Sequence, residues 1–381
     1  MKKIIWGFWV FFLGLLIASA EGTDLAPNSR SAILIDYDTL EIIYEKNIAE
    51  KLPPASMTKI MSMLLVMEAI DSGKISLDDE VLISENASSM GGSQVYLQQG
   101  EKYSVHDLLK GVAIASGNDA VVALAEYISG TVEEFVRLMN EKAKELGLES
   151  THFENPHGLD SENHYSSAYD MAIMATELLK HSKILEYTSI YEDYLTKNDG
   201  SNIWLVNTNK LIRYYNGVDG LKTGYTSDAG YCLTATAKKN DLRLIAVVMN
   251  VPVEEKRRSD VTAMLNYGFA NYASYSLKSR NDLLEKKRVE ILDDEIELYL
   301  KDDYKILLRK GEEVPKYSFQ IELNDINGSI KANDVVGKSI VKDSNNNVVT
   351  ELDIVVHNDY NKASFFRLWR NNIKRIVGGG K

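Results

Sequence analysis

The chain has 381 residues, room for two or three domains, with 45% hydrophobic and 26% charged side chains. Those are ordinary proportions for a folded protein and exclude a disordered one. The formal net charge is −12, which speaks against nucleic acid as the main partner, and the single cysteine, Cys232, excludes an intramolecular disulfide.

Residues 1–20 read as a secretory leader. Lys2 and Lys3 precede an apolar run from Ile4 to Ile17, and Ala18-Ser19-Ala20 has the small-x-small form of a cleavage site. The run is short for a membrane span, with an uncleaved anchor as the alternative. Export is expected. Residues 30–45 alternate like a hairpin around Asp36-Tyr37-Asp38-Thr39. Pro53-Pro54-Ala55-Ser56-Met57-Thr58-Lys59 then opens a long apolar stretch through Ile70, too long for a strand and rich in helix formers, with Gly73 as its stop. Ser104 and Asp107 fit a helix cap before Leu108, Leu109, Val112 and Ile114, and Ser167 and Asp170 fit another before residues 171–179. Helices are also expected over 119–128 and 131–146, and an irregular loop over 150–166.

Strands take over from Ile203. Residues 233–237 and 242–250 form a hairpin pattern, and Cys232 reads as a buried structural thiol at its edge. A helix over 257–272 puts Val261, Leu265 and Phe269 on one face. Composition shifts near Leu277 to short alternating segments separated by Gly, Asn and Asp turns. The reading is α+β with a small β-rich second domain. The expected division is a leader (1–20), a main domain (21–276), the β-rich domain (277–362) and an amphipathic tail (363–381).

Three motifs carry chemistry. Ser56 and Lys59 lie one turn apart at a helix start, where a lysine of lowered pKa can take the serine's proton. Ser116-Gly117-Asn118 breaks a helical run with a hydroxyl and an amide fit to relay a proton and hold a carbonyl. Lys222-Thr223-Gly224, expected just before a strand, offers fixed positive charge and a glycine against which a substrate backbone can lie. Each alone is a common pattern. A cap, a local turn and an exposed lysine would serve equally well.

Together and in this order, the sequence resembles the penicillin-recognising serine enzymes. Ser-Gly-Asn in place of Ser-Asp-Asn makes it similar to the D-alanyl-D-alanine carboxypeptidases among the low-molecular-mass penicillin-binding proteins. The stretches Asn155-Pro156-His157-Gly158-Leu159 and Gly220-Leu221-Lys222-Thr223-Gly224-Tyr225-Thr226 agree. The resemblance implies a β-lactamase-like transpeptidase domain, an antiparallel sheet flanked by helices. It implies Ser56 as acylated nucleophile, Lys59 as base, and Ser116, Asn118 and Lys222 as their partners. Thr223 and Gly224 would line the cleft, the amides of Ser56 and Tyr225 would meet the oxyanion, and Arg257 would take the substrate's carboxylate. The implied substrate is a peptidoglycan stem ending in D-Ala-D-Ala, which β-lactams mimic.

A β-lactamase would call for Ser-Asp-Asn and a water-activating glutamate, and none is assignable. A cell-wall endopeptidase of the same fold is a closer rival, and a non-catalytic wall-binding protein would need no nucleophile–base pair. His152, His157 and His164 gather near Asp160, but their spacing fits no zinc pattern. No metal or other cofactor is expected, and no Gly-x-Ser-x-Gly elbow supports a Ser-His-Asp hydrolase. In the tail, Phe366, Trp369, Ile373 and Ile376 recur at helical spacing among Arg367, Arg370, Lys374 and Arg375, with no acidic residue in 363–381. Too short and too charged to span, it is expected to lie in the outer face of the cytoplasmic membrane.

Overall fold

The computed structural model describes residues 24–364. The expected leader and all but the first two residues of the expected tail lie outside them. In chain order come β1 (Ser31–Asp36), β2 (Ile42–Lys46), a 3-10 turn (Ala55–Thr58) and α1 (Lys59–Asp71). Next are β3 (Glu80–Leu82), α2 (Glu85–Ser88), β4 (Lys102–Ser104), α3 (Val105–Ala115), α4 (Asn118–Ser129), α5 (Val132–Glu145) and α6 (Ala168–Lys180). The short α7 (Leu185–Thr188), the hairpin β5 (Glu192–Thr196) and β6 (Asn202–Val206), and α8 (Leu211–Tyr214) follow. β7 (Val218–Thr226), β8 (Gly230–Lys239), β9 (Leu242–Val251) and α9 (Glu254–Asn271) complete the first unit.

Its main sheet is antiparallel in the order β2-β1-β9-β8-β7. Successive side chains of a strand point to opposite faces, and here both faces are covered. Ile33 and Ile35 enter a large core with Met61, Leu64 and Met174, while Ala32 and Leu34 pack toward Val261, Met264 and Leu265 of α9. Each such large side chain withdrawn from water contributes about 1.5–3 kcal/mol. The helix α1 runs through the first core and is buried on nearly every side. Both expected caps form: Ser104 Oγ accepts from Asp107 N at 3.0 Å, and Ser167 Oγ from Asp170 N at 3.1 Å.

β10 (Tyr272–Lys278) follows α9 directly; after it come β11 (Glu285–Val289), β12 (Asp294–Leu300) and β13 (Tyr304–Arg309). β10 pairs with β13 as a separate ribbon. The composition shift at Leu277 falls inside β10, so this ribbon straddles the expected boundary. β14 (Ser318–Leu323), β15 (Val335–Lys342) and β16 (Val348–Val355) join β11 and β12 in a sheet ordered β11-β12-β16-β15-β14. Its own small core holds Leu292, Ile296, Leu298, Val336 and Ile354. An ion pair between Lys305 and Asp38, 3.1 Å, ties the ribbon to the β1–β2 turn.

Candidate active site

Ser56 sits in the 3-10 turn that feeds α1, with Met57 N bonded to Pro54 O at 3.1 Å. Ala55 before it takes φ +48°, a backbone that side chains with a Cβ rarely adopt. One turn on, Lys59 is fully buried. Its Nζ lies 2.9 Å from Ser56 Oγ, 2.7 Å from Asn118 Oδ1 and 2.8 Å from the carbonyl oxygen of His157. Burial, then the positive charge of Lys222, holds its pKa well below the ordinary lysine range, against a smaller opposing pull from Asp119.

The other two motifs converge on this pair. Ser116 closes α3 in the left-handed region at φ +63°, with its N–H on Val112 O and the N–H of Gly117 on Gly111 O, a pattern that satisfies the last carbonyls of a helix. Its Oγ is buried and makes no hydrogen bond among the described residues. Asn118 starts α4 and commits its Nδ2 to Gly91 O at 2.7 Å, which leaves Oδ1 for Lys59.

Lys222, Thr223 and Gly224 lie within β7, not ahead of it as the sequence suggested. Lysine and glycine are depleted in strands, and pairing with β8 (Lys222 opposite Thr234, Gly224 opposite Cys232) holds residues 222–224 extended. Lys222 is buried, and burial followed by the charge of Arg257 brings it down to about 7. A Cβ on Gly224 would stand 2.6 Å from Pro54 O and 3.2 Å from Ser56 N. Only glycine lets β7 run that close to the serine turn.

Ser56, Ser93, Ser116, Thr223, Gly224, Tyr225 and Arg257 line one cleft of about 350 Å³, together with Thr208, Lys210, Tyr231 and Glu254. α9 starts at Glu254 rather than at Arg257, because Glu254 and Glu255 suit the positive end of a helix. Arg257 therefore sits one turn in, facing the sheet. Its Nη1 donates to Cys232 O at 3.3 Å, its cation lies 5.6 Å from the Tyr231 ring centre, and its Nε has no partner among the described residues. Both arginines pair one turn back: Arg257 Nη2 with Glu254 at 3.7 Å and Arg258 with Glu255 at 3.8 Å, the latter pair far more exposed. Tyr225 is more than half exposed at the rim, its ring centre 4.4 Å from that of Tyr231.

The histidines do structural work. His164 Nδ1 accepts from Glu154 N at 3.0 Å, so Nε2 carries the proton and meets Thr58 Oγ1 at 2.7 Å; burial pushes the ring down to about 4. His157 is driven to about 3 by burial and by Lys59, and contributes its carbonyl. Gly158 beside it, at φ +88°, lies where a Cβ would meet Ala55 O at 1.9 Å. Sequence reasoning missed the cleft-lining Ser93, Thr208 and Lys210, which lie on irregular segments, and Tyr231 and Glu254, which stand at the starts of β8 and α9; none belongs to a motif. It also missed the His157 carbonyl, although the stretch 155–159 drew notice.

Against known proteins, the family described as D-alanyl-D-alanine carboxypeptidase matches residues 18–253, and that described as the C-terminal domain of penicillin-binding protein 5 matches 272–362. The D-alanyl-D-alanine carboxypeptidase DacF of Bacillus subtilis is 49% identical over 358 residues, 93% of this chain and 91% of that protein. DacC of Escherichia coli, likewise a D-alanyl-D-alanine carboxypeptidase, is 34% identical over 373 residues, 95% and 92% of the two chains. Among solved structures, penicillin binding protein 5 from Haemophilus influenzae aligns with TM-score 0.69 at 34% identity, covering 88% of this chain and 98% of that one. Penicillin-binding protein D2 from Listeria monocytogenes, in its ampicillin-bound form, aligns with TM-score 0.58 at 32% identity, over 64% and 98%. The chain belongs to the D-alanyl-D-alanine carboxypeptidases, a family of penicillin-binding serine peptidases.

Proposed function

We propose that this chain releases the terminal D-alanine from peptidoglycan stems ending in D-Ala-D-Ala, through an acyl-enzyme on Ser56. The observation that carries this is the bonding of Lys59. Two of its three neighbours, Asn118 Oδ1 and His157 O, only accept hydrogen bonds. A neutral amine gives them its two hydrogens and turns its lone pair to the Ser56 hydroxyl, 2.9 Å away. Burial favours that neutral form.

Lys59 takes the Ser56 proton as Oγ attacks the penultimate carbonyl. The backbone N–H groups of Ser56 and Tyr225 meet the oxyanion, which strengthens most in the transition state. The departing D-alanine amine receives a proton relayed through Ser116 from Lys59. Water then attacks the ester, with Lys59 again as base. Lys222, Thr223 and Arg257 hold the substrate's carboxylate, and an arriving carboxylate restores the charge on Lys222. A β-lactam enters the same cleft and acylates Ser56.

The test follows D-alanine released from a D-Ala-D-Ala peptide, stem monomers released from a cross-linked dimer and ring-opened product from a penicillin, each offered separately. D-alanine release from the first, with slow turnover of the penicillin adduct, supports the reading. Exclusive cleavage of the dimer would make the protein an endopeptidase, and rapid penicillin hydrolysis a β-lactamase. Because only neutral Lys59 is a base, kcat/KM should fall as pH drops through its lowered pKa, and should already be level where an ordinary lysine remains charged. A profile still rising at pH 10 would contradict this.

Arg257→Ala should lower kcat/KM about 10- to 100-fold, mostly through KM, since a guanidinium pairs a carboxylate through two hydrogen bonds. Arg258→Ala should change it less than about twofold. Equal effects would remove Arg257 from the site.

The protein is exported and held at the outer face of the cytoplasmic membrane by its tail. The tail's five basic side chains (Arg367, Arg370, Lys374, Arg375 and Lys381) on an acidic chain suit anionic headgroups, at about 1 kcal/mol per near-surface cation. Its aromatic stripe buries while the cations stay wet. Protein lacking the leader and truncated after Lys362 should lose flotation with anionic liposomes and keep its peptidase activity; equal flotation with and without the tail would defeat the anchor.

A further inference from the structure

Asp119 is a buried carboxylate that the reaction as drawn does not use. It follows Asn118 in the first turn of α4, yet its side chain leaves the helix. Oδ1 and Oδ2 accept from Val95 N at 3.1 and 3.0 Å, Oδ2 from Leu97 N at 3.1 Å, and Oδ1 from Ala120 N at 2.9 Å. Tyr96, between the two gripped amides, is held at φ +56°, a backbone that a bulky residue keeps only when its surroundings impose it.

The gripped segment, residues 91–97, wraps Asn118. Gly91 O accepts from Asn118 Nδ2 at 2.7 Å, and Ser93 O from Asn118 N at 2.7 Å. A Cβ on Gly92 would stand 2.7 Å from Asn118 Nδ2. The middle glycine of Ser116-Gly117-Asn118 also finds its reason here. A Cβ at Gly117 would meet Asp119 Oδ1 at 2.9 Å, and Ala120 Cβ and Val95 Cγ1 at 3.3 Å. The motif's glycine thus leaves the space that the carboxylate fills.

We infer that Asp119 is a positioning residue: by clamping residues 91–97 it fixes the Asn118 amide with Oδ1 toward Lys59, and so orients the base toward Ser56. This rests on the proposed roles of Ser56 and Lys59. Asp119 also acts on Lys59 by charge. Lys59 is faced by Lys222 from β7, by His157 from the loop 155–159 and by Asp119 from α4, of which Asp119 alone favours its protonated form.

The test is Asp119→Asn, equal in size but uncharged, with a donor where the carboxylate accepts. Rates are taken per folded molecule, by circular dichroism and thermal melting, on D-alanine release and on penicillin acylation. We expect kcat/KM to fall about 10- to 100-fold, the scale for slight misplacement of reacting groups. The acid limb of the profile should move to lower pH, since loss of the anion lowers the Lys59 pKa further. Should Asp119→Asn not fold, Gly117→Ala, which presses on the same carboxylate, is expected to lower kcat/KM in the same way. A folded variant with wild-type kcat/KM and an unmoved limb, or one that melts earlier but keeps its rate per folded molecule, overturns the inference. Ser56→Ala in the same assay separates the two levels. If it stays active, the proposed reaction itself is wrong; if it is dead while Asp119→Asn is normal, only the positioning role falls.

Discussion

Ser56→Ala is expected to abolish D-alanine release, with a loss of about five to six orders of magnitude in kcat, the scale seen when a serine nucleophile is removed from a hydrolase. No other group at the serine turn replaces it. Lys59 Nζ is there to accept a proton, and the Ser116 hydroxyl sits on a separate segment at the end of α3. The fold should survive. Ser56 is only partly buried, in a turn closed by backbone bonding, and its Oγ is bonded by Lys59 alone among the described residues. Stability should change by less than about 1 kcal/mol, as for most substitutions that open no core cavity. Labelled penicillin read by gel and by peptide mapping checks the claim. Label that persists on the variant, or maps to another serine, would refute the assignment.

Lys59→Met should lower both penicillin acylation and peptide turnover about 10²- to 10⁴-fold, the range for a positioned acid–base group. It keeps the length and apolar stem of lysine and removes the amine. KM should move little, because Lys59 lies under Ser56 and does not line the cleft. Stability pulls two ways. The variant leaves Asn118 Oδ1 and His157 O without a donor, at about 1–3 kcal/mol each, and it also removes the desolvation of the amine. A stopped-flow acylation rate set beside a thermal melt separates the effects. A near-normal acylation rate in a folded Lys59→Met protein would move the base role elsewhere.

Much of the scaffold was legible because local signals agreed with the fold. The apolar run after Ser56 became α1, and the caps at Ser104 and Ser167 stand where the residue types put them. β7 was not legible. Lys222, Thr223 and Gly224 look like a turn, and what makes them a strand is their pairing across the sheet with residues 232–234. The hairpin of β5 and β6 was half seen, from Ile203 onward, because Glu192, Asp193 and Asn202 mask its alternation. The boundary near Leu277 was read from composition, whereas the β10–β13 ribbon is defined by a pairing across some thirty residues that composition does not encode.

The site shows the same division. Ser56, Lys59, Ser116, Asn118 and Lys222 were legible as short motifs, and the resemblance they carry pointed to one cleft. Lys59 shows what lay beyond the sequence. A lowered pKa was expected of it, with a solvated lysine as the alternative, but not what holds it: it is fully buried, and Asn118 and the 155–159 loop give its amine acceptors. Asp119 was passed over for a similar reason. Its partners are backbone amides some twenty residues earlier, and backbone donors leave no mark in a sequence.

The most direct measurement is rapid acid quench of the protein with a D-Ala-D-Ala-terminated peptide, followed by mass spectrometry of its digest. The expected product is an ester on the peptide containing Ser56, heavier by the acyl fragment left after loss of one D-alanine and formed no more slowly than free D-alanine appears. Release of D-alanine with no ester on Ser56 at any time, under conditions where penicillin labels it, would contradict it.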